Sequence, residues 1–178
     1  MLDPAFYHAD RLNQRFRETV FRDRFKFYSR SSFIEYFIPI YQNSDEMIQM
    51  VSLDNGDVVG YFSVKINRET NAAYELQVIK FDSKSKEFTG DLHDFFVSLY
   101  KKFGVNKITF FVIVGNPAEA VYDNVVTSYG GRIVGIFKKD AKLYDGQLYD
   151  VKFYEIMKEE FDLTGVDRFS WRDFRTGV

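Results

Sequence analysis

The sequence predicts an α+β fold: a central, mostly antiparallel twisted sheet of about six or seven strands flanked by helices. Two apolar segments joined through Asn55-Gly56 are typical of an antiparallel hairpin, because Asn-Gly accepts the positive φ values of a tight turn. Apolar residues every three or four positions from Leu92 to Phe103 indicate an amphipathic helix. The almost wholly apolar segment from Ile108 to Val114 then indicates a strand covered on both faces.

Composition narrows the class of protein. The 178 residues are 46% apolar with a net charge of -2, so we expect a single domain over residues 1–178 with its core at about 47–157. With no cysteine and two histidines, a disulfide framework, a thiolate site and a cysteine nucleophile are excluded, and a histidine metal site or serine hydrolase triad is disfavoured. We predict no metal, no membrane span and a cytoplasmic location.

The two ends of the chain are rich in aromatic and basic residues. We expect helices at about 10–40, either packed on the core with their arginines in water or presenting a surface for RNA, an anionic substrate or an acidic partner. The near-neutral net charge disfavours nucleic acid. The tail at 161–178 either folds back on the domain or covers a neighbouring subunit, which leaves a homodimer open.

The remaining elements follow in order. Strands are predicted from Met47 to Leu53 and from Val58 to Ile66, and, after a polar turn at Arg68 to Asn71, a third strand from Ala73 through Phe81. Thr89 is predicted to cap the following helix. After the central strand, Asn116-Pro117 has the pattern of a helix start, with Glu119 placed to reach back in a capping box. Gly130-Gly131 ends that helix, and two strands follow, Ile133 to Lys138 and Leu148 to Met157.

This order of elements resembles the GCN5-related N-acetyltransferase superfamily from Met47 to Ile156. Short sequence segments support the resemblance and occur in the order of the family's elements. They are Asp57-Val58-Val59-Gly60-Tyr61-Phe62, Glu75-Leu76-Gln77-Val78, Gly115-Asn116-Pro117, Gly130-Gly131-Arg132-Ile133-Val134-Gly135, and Asp145-Gly146 with Asp150.

The resemblance implies a splay between the fourth and fifth strands into which acetyl-CoA inserts. Backbone groups around Gln77, Val78 and Ile79 would bind the pantetheine and the thioester carbonyl. The diphosphate would lie over the loop and first helical turn near Thr89 and Gly90, where N–H groups and the helix dipole converge. Catalysis would consist mainly of positioning a primary amine, of a small molecule or a protein, against the thioester.

The diphosphate loop departs from the family pattern. Where the family has Gln or Arg, then Gly, then Gly or Ala, this chain has Ser83, Lys86 and Phe88. Carboxylates in the first helical turn, on Glu87, Asp91 and Asp94, would repel a diphosphate. Lys84 and Lys86 would attract it instead, as point charges.

Proton-handling residues are assigned by the same resemblance. Glu75 is the candidate base, or else a solvated strand residue. Tyr122 is the candidate acid, or else a packing tyrosine; it lies one turn before Val126, which occupies the usual tyrosine position, and Tyr129 is a substitute. Asn116 either bonds the pantetheine or only caps its helix. Three functions follow: an acetyl-CoA-dependent N-acetyltransferase, an inactive binding or regulatory module of the same fold, and a nucleic-acid-associated protein.

Overall fold

A computed structural model describes residues 1–19, 22, 26–27, 37–42, 44–82, 84–128 and 130–163 of the chain; of residues 162 and 163 it describes the backbone alone. Its centre is a seven-stranded sheet, in which every neighbouring pair is antiparallel except the parallel pair β4–β5. The strands in chain order are β1 (Leu2–Pro4), β2 (Met47–Asp54), β3 (Asp57–Asn67), β4 (Ala72–Lys80), β5 (Lys107–Ile113), β6 (Arg132–Lys142) and β7 (Leu148–Met157). Their spatial order is β1-β2-β3-β4-β5-β7-β6. The predicted α+β fold is therefore confirmed.

The helices lie on both faces of this sheet. They are a 3-10 helix (Ala5–His8), α1 (Ala9–Thr19), α2 (Glu87–Lys101), α3 (Ala118–Ser128) and α4 (Lys158–Leu163). None of the helices in the part of the chain described here is long and apolar enough to cross a membrane.

Alternation along the strands gives the sheet two different faces. The first face carries Phe62, Val64 and Phe110, which pack with the apolar sides of α2 and α3 in the larger core cluster. The second face carries Tyr61 and Ile79, which pack with α1 in a separate cluster. Residues of β4 belong to both clusters, Ala73 and Leu76 to the larger one and Ile79 to the other, and this packing fixes the position of β4, the strand that borders the candidate site.

Several boundaries differ from the sequence prediction. Ile38 and Ile40 are not helical, so the predicted helical region does not extend to residue 40, and residues 28–36 lie outside the described part. The short elements β1 and α4 were not predicted. The helix α2 begins at Glu87 with Lys86 as its cap residue, so the prediction that Thr89 caps this helix is wrong. The cause is that the loop before α2 is shorter than the pattern implied.

Candidate functional site

The strands β4 and β5 separate soon after they begin. They pair only at Ala72 with Lys107 and at Ala73 with Ile108, whereas β5 stays paired with β7 along its whole length. Beyond these two pairs, the edges of β4 and β5 face each other without a ladder. We call this opening, between residues 74–80 and 109–113, the β4–β5 cleft. The splay that the resemblance implied is present.

A β-bulge in β4 lies at the point of separation. Tyr74 pairs with Lys65 and Gln77 pairs with Ser63, so Glu75 and Leu76 together oppose a single residue of β3. Glu75 has a φ of 51°, in the left-handed region that a non-glycine residue seldom adopts. Because a bulge bends its strand and increases the local twist, β4 turns away from β5 here.

The backbone of Val78 points into the cleft. In an antiparallel pair, every second residue bonds to the neighbouring strand and the residues between direct their backbone groups to the other side. The Phe81 N–H donates to the Val59 carbonyl at 2.9 Å. Ile79 and Gln77 lie two and four residues before Phe81, so their backbone groups also bond to β3. The N–H and C=O of Val78 therefore face the cleft, and those of Gln77 and Ile79 do not.

The loop at the mouth of the cleft offers lysines rather than glycines. The Lys84 N–H donates to Asp82 Oδ1 at 2.8 Å, so one amide of the loop already binds a carboxylate. The side chains of Lys84 and Lys86 are exposed, and Ser83 lies outside the described residues. Thr89 and Gly90 lie in the first turn of α2, which leaves its first N–H groups without helical partners.

Of the three carboxylates that the sequence assigned to the first turn of α2, only Glu87 lies in that turn, and Glu87 and Asp91 face away from the cleft. Asp91 is 6% exposed and accepts a hydrogen bond from the Ser52 hydroxyl at 2.7 Å. The N-terminal ammonium of Met1 lies 3.0 Å from Asp91 and 3.8 Å from Glu87. Since Ser52 lies on β2 and Met1 directly precedes β1, the negative charge is directed to the side of α2 opposite β5, and the repulsion expected from these two residues is reduced.

Phe88 packs over β3 and does not fill the cleft. Its ring lies 5.0 Å from that of Phe62, and a Cβ placed on Gly60 would come within 2.3 Å of the Phe88 ring. Only glycine at position 60 leaves room for the ring. Phe88 occupies a position where the family pattern has glycine or alanine, and its ring packs on Gly60 and Phe62 of β3.

Tyr122 lies on the first face, beside β5. Its ring makes an edge contact with Phe110 at 5.2 Å, and burial raises the pKa of its hydroxyl. A tyrosine hydroxyl is protonated at neutral pH even at its ordinary pKa, and burial makes this one hold its proton more firmly. Tyr129, the substitute, lies outside the described residues.

Asn116 caps α3 as the sequence predicted. Its Oδ1 accepts a hydrogen bond from the Ala118 N–H at 3.0 Å. Glu119 reaches back to the Gly115 N–H at 3.1 Å, so the reciprocal bond of the capping box falls one residue before the cap. The Asn116 side-chain oxygen is thus engaged in the helix start.

Glu75 lies on the opposite face from Tyr122. Its carboxylate is 2.6 Å from Lys65 Nζ, and that hydrogen bond raises the pKa of Lys65. Lys65 alternates with Val64 and Ile66, which face the larger core cluster, so Lys65 and Glu75 lie on the second face. The two predicted proton-handling residues therefore lie on opposite faces of the sheet, and the ring contacts of Tyr122 are with Phe110 of β5 and Tyr154 of β7.

A polar network beneath α3 was missed by sequence reasoning. The Lys152 ammonium, on β7, donates to Asp123 at 2.6 Å and to Glu119 at 3.3 Å, and the Tyr154 hydroxyl donates to Asp123 at 2.9 Å. These bonds join α3, the helix that carries Tyr122, to the sheet. The available signal was the position of Lys152 two residues before Tyr154 and four before Ile156, on the face of the strand that the apolar pattern assigns to the core.

No metal centre is evident in the described part of the chain, because no three His, Asp or Glu side chains there are grouped to hold an ion. The polar groups established at the cleft are the backbone amide of Val78 and, in the loop at its mouth, the exposed lysines Lys84 and Lys86.

Comparison with solved structures identifies the fold. A GCN5-related N-acetyltransferase from Brucella melitensis superposes with a TM-score of 0.64 and 16% identity, covering 92% of this chain and 77% of that one. A chimera of the spermidine N-acetyltransferase SpeG from Vibrio cholerae and hSSAT gives a TM-score of 0.64 and 18% identity over 90% of this chain and 97% of that one. A mutant of the same SpeG gives 0.56 and 20% identity over 67% and 70%. No protein-family model and no curated protein matches the sequence.

Proposed function

We propose that this chain, which has the fold of the GCN5-related N-acetyltransferases, belongs to that superfamily and transfers an acetyl group from acetyl-CoA to a primary amine. The observation that carries the proposal is the β4–β5 cleft, with the Val78 backbone groups directed into it. Unpaired backbone groups at an open strand edge bind an extended ligand that supplies the missing hydrogen bonds. The pantetheine arm of acetyl-CoA, with its two amides, is such a ligand.

The site has two ends. The thioester end consists of Val78 and Tyr122, and the diphosphate end consists of Lys84, Lys86 and the first turn of α2. In this arrangement the Val78 N–H orients the pantetheine arm and so positions the acyl group. Lys84 and Lys86, both exposed, neutralise the diphosphate as point charges.

The proton transfers that the reaction requires assign a role to Glu75 and a role to Tyr122. Acetyl-CoA supplies an activated acyl carbon, and the transfer forms a C–N bond and breaks a C–S bond. One proton must therefore leave the amine and one must reach the sulfur. Glu75, directly or through water, accepts the first on the second face, and Tyr122, whose hydroxyl is protonated at neutral pH as tyrosines ordinarily are, donates the second on the first face.

The test measures the thiol that the transfer releases. Because the chain contains no cysteine, a thiol-reactive dye detects only free CoA. We expect amine-dependent thiol release with acetyl-CoA as donor, and none when the amine is omitted. A panel of small amines and lysine peptides that gives no release above the background without protein would contradict the proposal.

A second candidate is a binding or regulatory module of the same fold, which the missing loop glycines favour. It predicts that the protein binds partners without turnover. Acetyl-CoA binding without thiol release from any amine, or no binding at millimolar acetyl-CoA, would support the module. A cytoplasmic location and a homodimer stay predictions, and salt-sensitive retention on RNA would be needed to support the nucleic-acid candidate.

A further inference from the structure

An exposed strip of aromatic rings lies beside the cleft on the second face. Phe111, on β5, is 40% exposed and borders the cleft directly. Its ring centre is 5.6 Å from that of Phe153 on β7, which is 4.7 Å from that of Phe137 on β6. Phe137 is 57% exposed. We call Phe111, Phe153 and Phe137 the aromatic strip.

Register places the strip on the face that also carries Glu75. Phe111 pairs with Phe153, and Phe153 pairs with Gly135, two residues before Phe137. Phe110, the neighbour of Phe111, packs on the first face against Tyr122, so Phe111 faces the other way. The strip and the candidate base therefore lie on the same side of the cleft, opposite the candidate acid.

The carboxylates on this face already have cationic partners. Glu75 is paired with Lys65 at 2.6 Å. Glu155, which shares a face with Phe153, is paired with Arg132 and, at 3.7 Å, with Lys107. A polyamine needs a carboxylate for each of several ammonium groups, and both of these carboxylates are already shared with a cation, whereas a single amino group needs only Glu75. An apolar ring instead gains area and edge or stacking contacts with exposed phenylalanines.

From this arrangement we propose that the acceptor is a small primary amine carrying an aromatic ring, which packs on the aromatic strip while its amino group faces Glu75 at the cleft. This inference rests on the proposed acetyl transfer, and it specifies the acceptor. The amine reacts as the neutral species: an ammonium first releases one proton to solvent, and the second proton, lost as the amide forms, passes to Glu75.

The experiment compares three acceptors with acetyl-CoA as donor: tryptamine, 2-phenylethylamine and spermidine. We expect kcat/KM for the two aromatic amines to exceed that for spermidine by about tenfold or more, the ratio that burying one ring can supply. Calorimetry of tryptamine with the CoA-bound protein gives a second readout that does not depend on turnover. Preference for spermidine would overturn this inference and leave acetyl transfer standing, whereas no turnover with any amine and no acetyl-CoA binding would overturn both.

Two variants on neighbouring positions locate the contact. Phe137→Ala removes an exposed ring of the strip, so we expect kcat/KM for tryptamine to fall about fivefold and the calorimetric Kd to rise by a similar factor. Ile136→Ala removes a side chain that is 47% exposed on the same strand but faces the other side, so we expect no change. Phe111→Leu, which keeps the apolar volume at the cleft, should lower kcat/KM without unfolding the protein. Equal effects of Phe137→Ala and Ile136→Ala would overturn the assignment.

Discussion

The two ends of the proposed acetyl-CoA site differ in what holds the ligand. At the thioester end, the contacts come from backbone groups of Val78, which face the cleft because of strand pairing and not because of the valine side chain. At the diphosphate end, no glycine occurs between Phe81 and Gly90, and the positive charge comes from lysine side chains. Backbone contacts that depend on strand pairing are kept when side chains change. A loop whose backbone must approach a phosphate closely needs glycines, and it loses that contact when they are replaced.

The largest expected effect tests the chemistry at the thioester end. Tyr122→Phe removes the proposed proton donor and keeps the ring that packs on Phe110. We expect kcat to fall about 100-fold, the lower limit for loss of a general acid, with little change in the Kd for acetyl-CoA. Steady-state kinetics and calorimetry give the two values.

Tyr154→Phe is the matched control for that variant. It removes one hydroxyl from a ring 6.0 Å from that of Tyr122, but this hydroxyl bonds Asp123. We expect a loss of about 1 kcal/mol in the free energy of unfolding and an unchanged kcat. A Tyr122→Phe variant with the wild-type rate would remove Tyr122 from the acid role.

The next effect tests the backbone contact itself. Val78→Pro deletes an N–H that faces the cleft, and proline is tolerated where the N–H of a strand residue is outside the ladder. We expect acetyl-CoA to bind about 10- to 100-fold more weakly while the fold is retained, as measured by calorimetry and circular dichroism.

Ile79→Pro provides the contrast, since the Ile79 N–H bonds to β3. This variant should lose stability because a ladder hydrogen bond in a buried strand is removed. If Val78→Pro unfolded the protein as Ile79→Pro does, the assignment of the Val78 N–H to the cleft would be wrong.

The smallest expected effect belongs to the diphosphate end. Reversing two exposed charges with Lys84→Glu and Lys86→Glu together should weaken acetyl-CoA binding about tenfold at low salt, and less at high salt because exposed charges are screened. The same reversal at Lys101 and Lys102, at the other end of α2, should leave the Kd unchanged. An unaltered Kd in the first variant would place the diphosphate elsewhere.

Sequence reasoning recovered the elements whose signals are local. The Asn55-Gly56 hairpin, the periodic helix and the Asn116 cap each depend on neighbouring residues, and the structure contains all three. The implied splay was also found, because element order determines which strands become neighbours.

The remainder depends on contacts between distant parts of the chain. The direction of Asp91 is set by Ser52, 39 residues away, so its effect on the diphosphate end could not be read from the first helical turn. The face of Glu75 depends on a bulge that shifts the register by one residue, and such a shift exchanges the two faces of a strand. Neither the direction of Asp91 nor the face of Glu75 could therefore be predicted from the sequence.

The central claim is tested most directly by the dependence of stability on acetyl-CoA. A ligand that binds only the folded protein raises the free energy of unfolding by about 2.7 kcal/mol at 100 times its Kd. We predict this increase, measured by urea unfolding with and without acetyl-CoA, and its reduction in the Val78→Pro variant. An unfolding curve that does not move at millimolar acetyl-CoA would contradict the account.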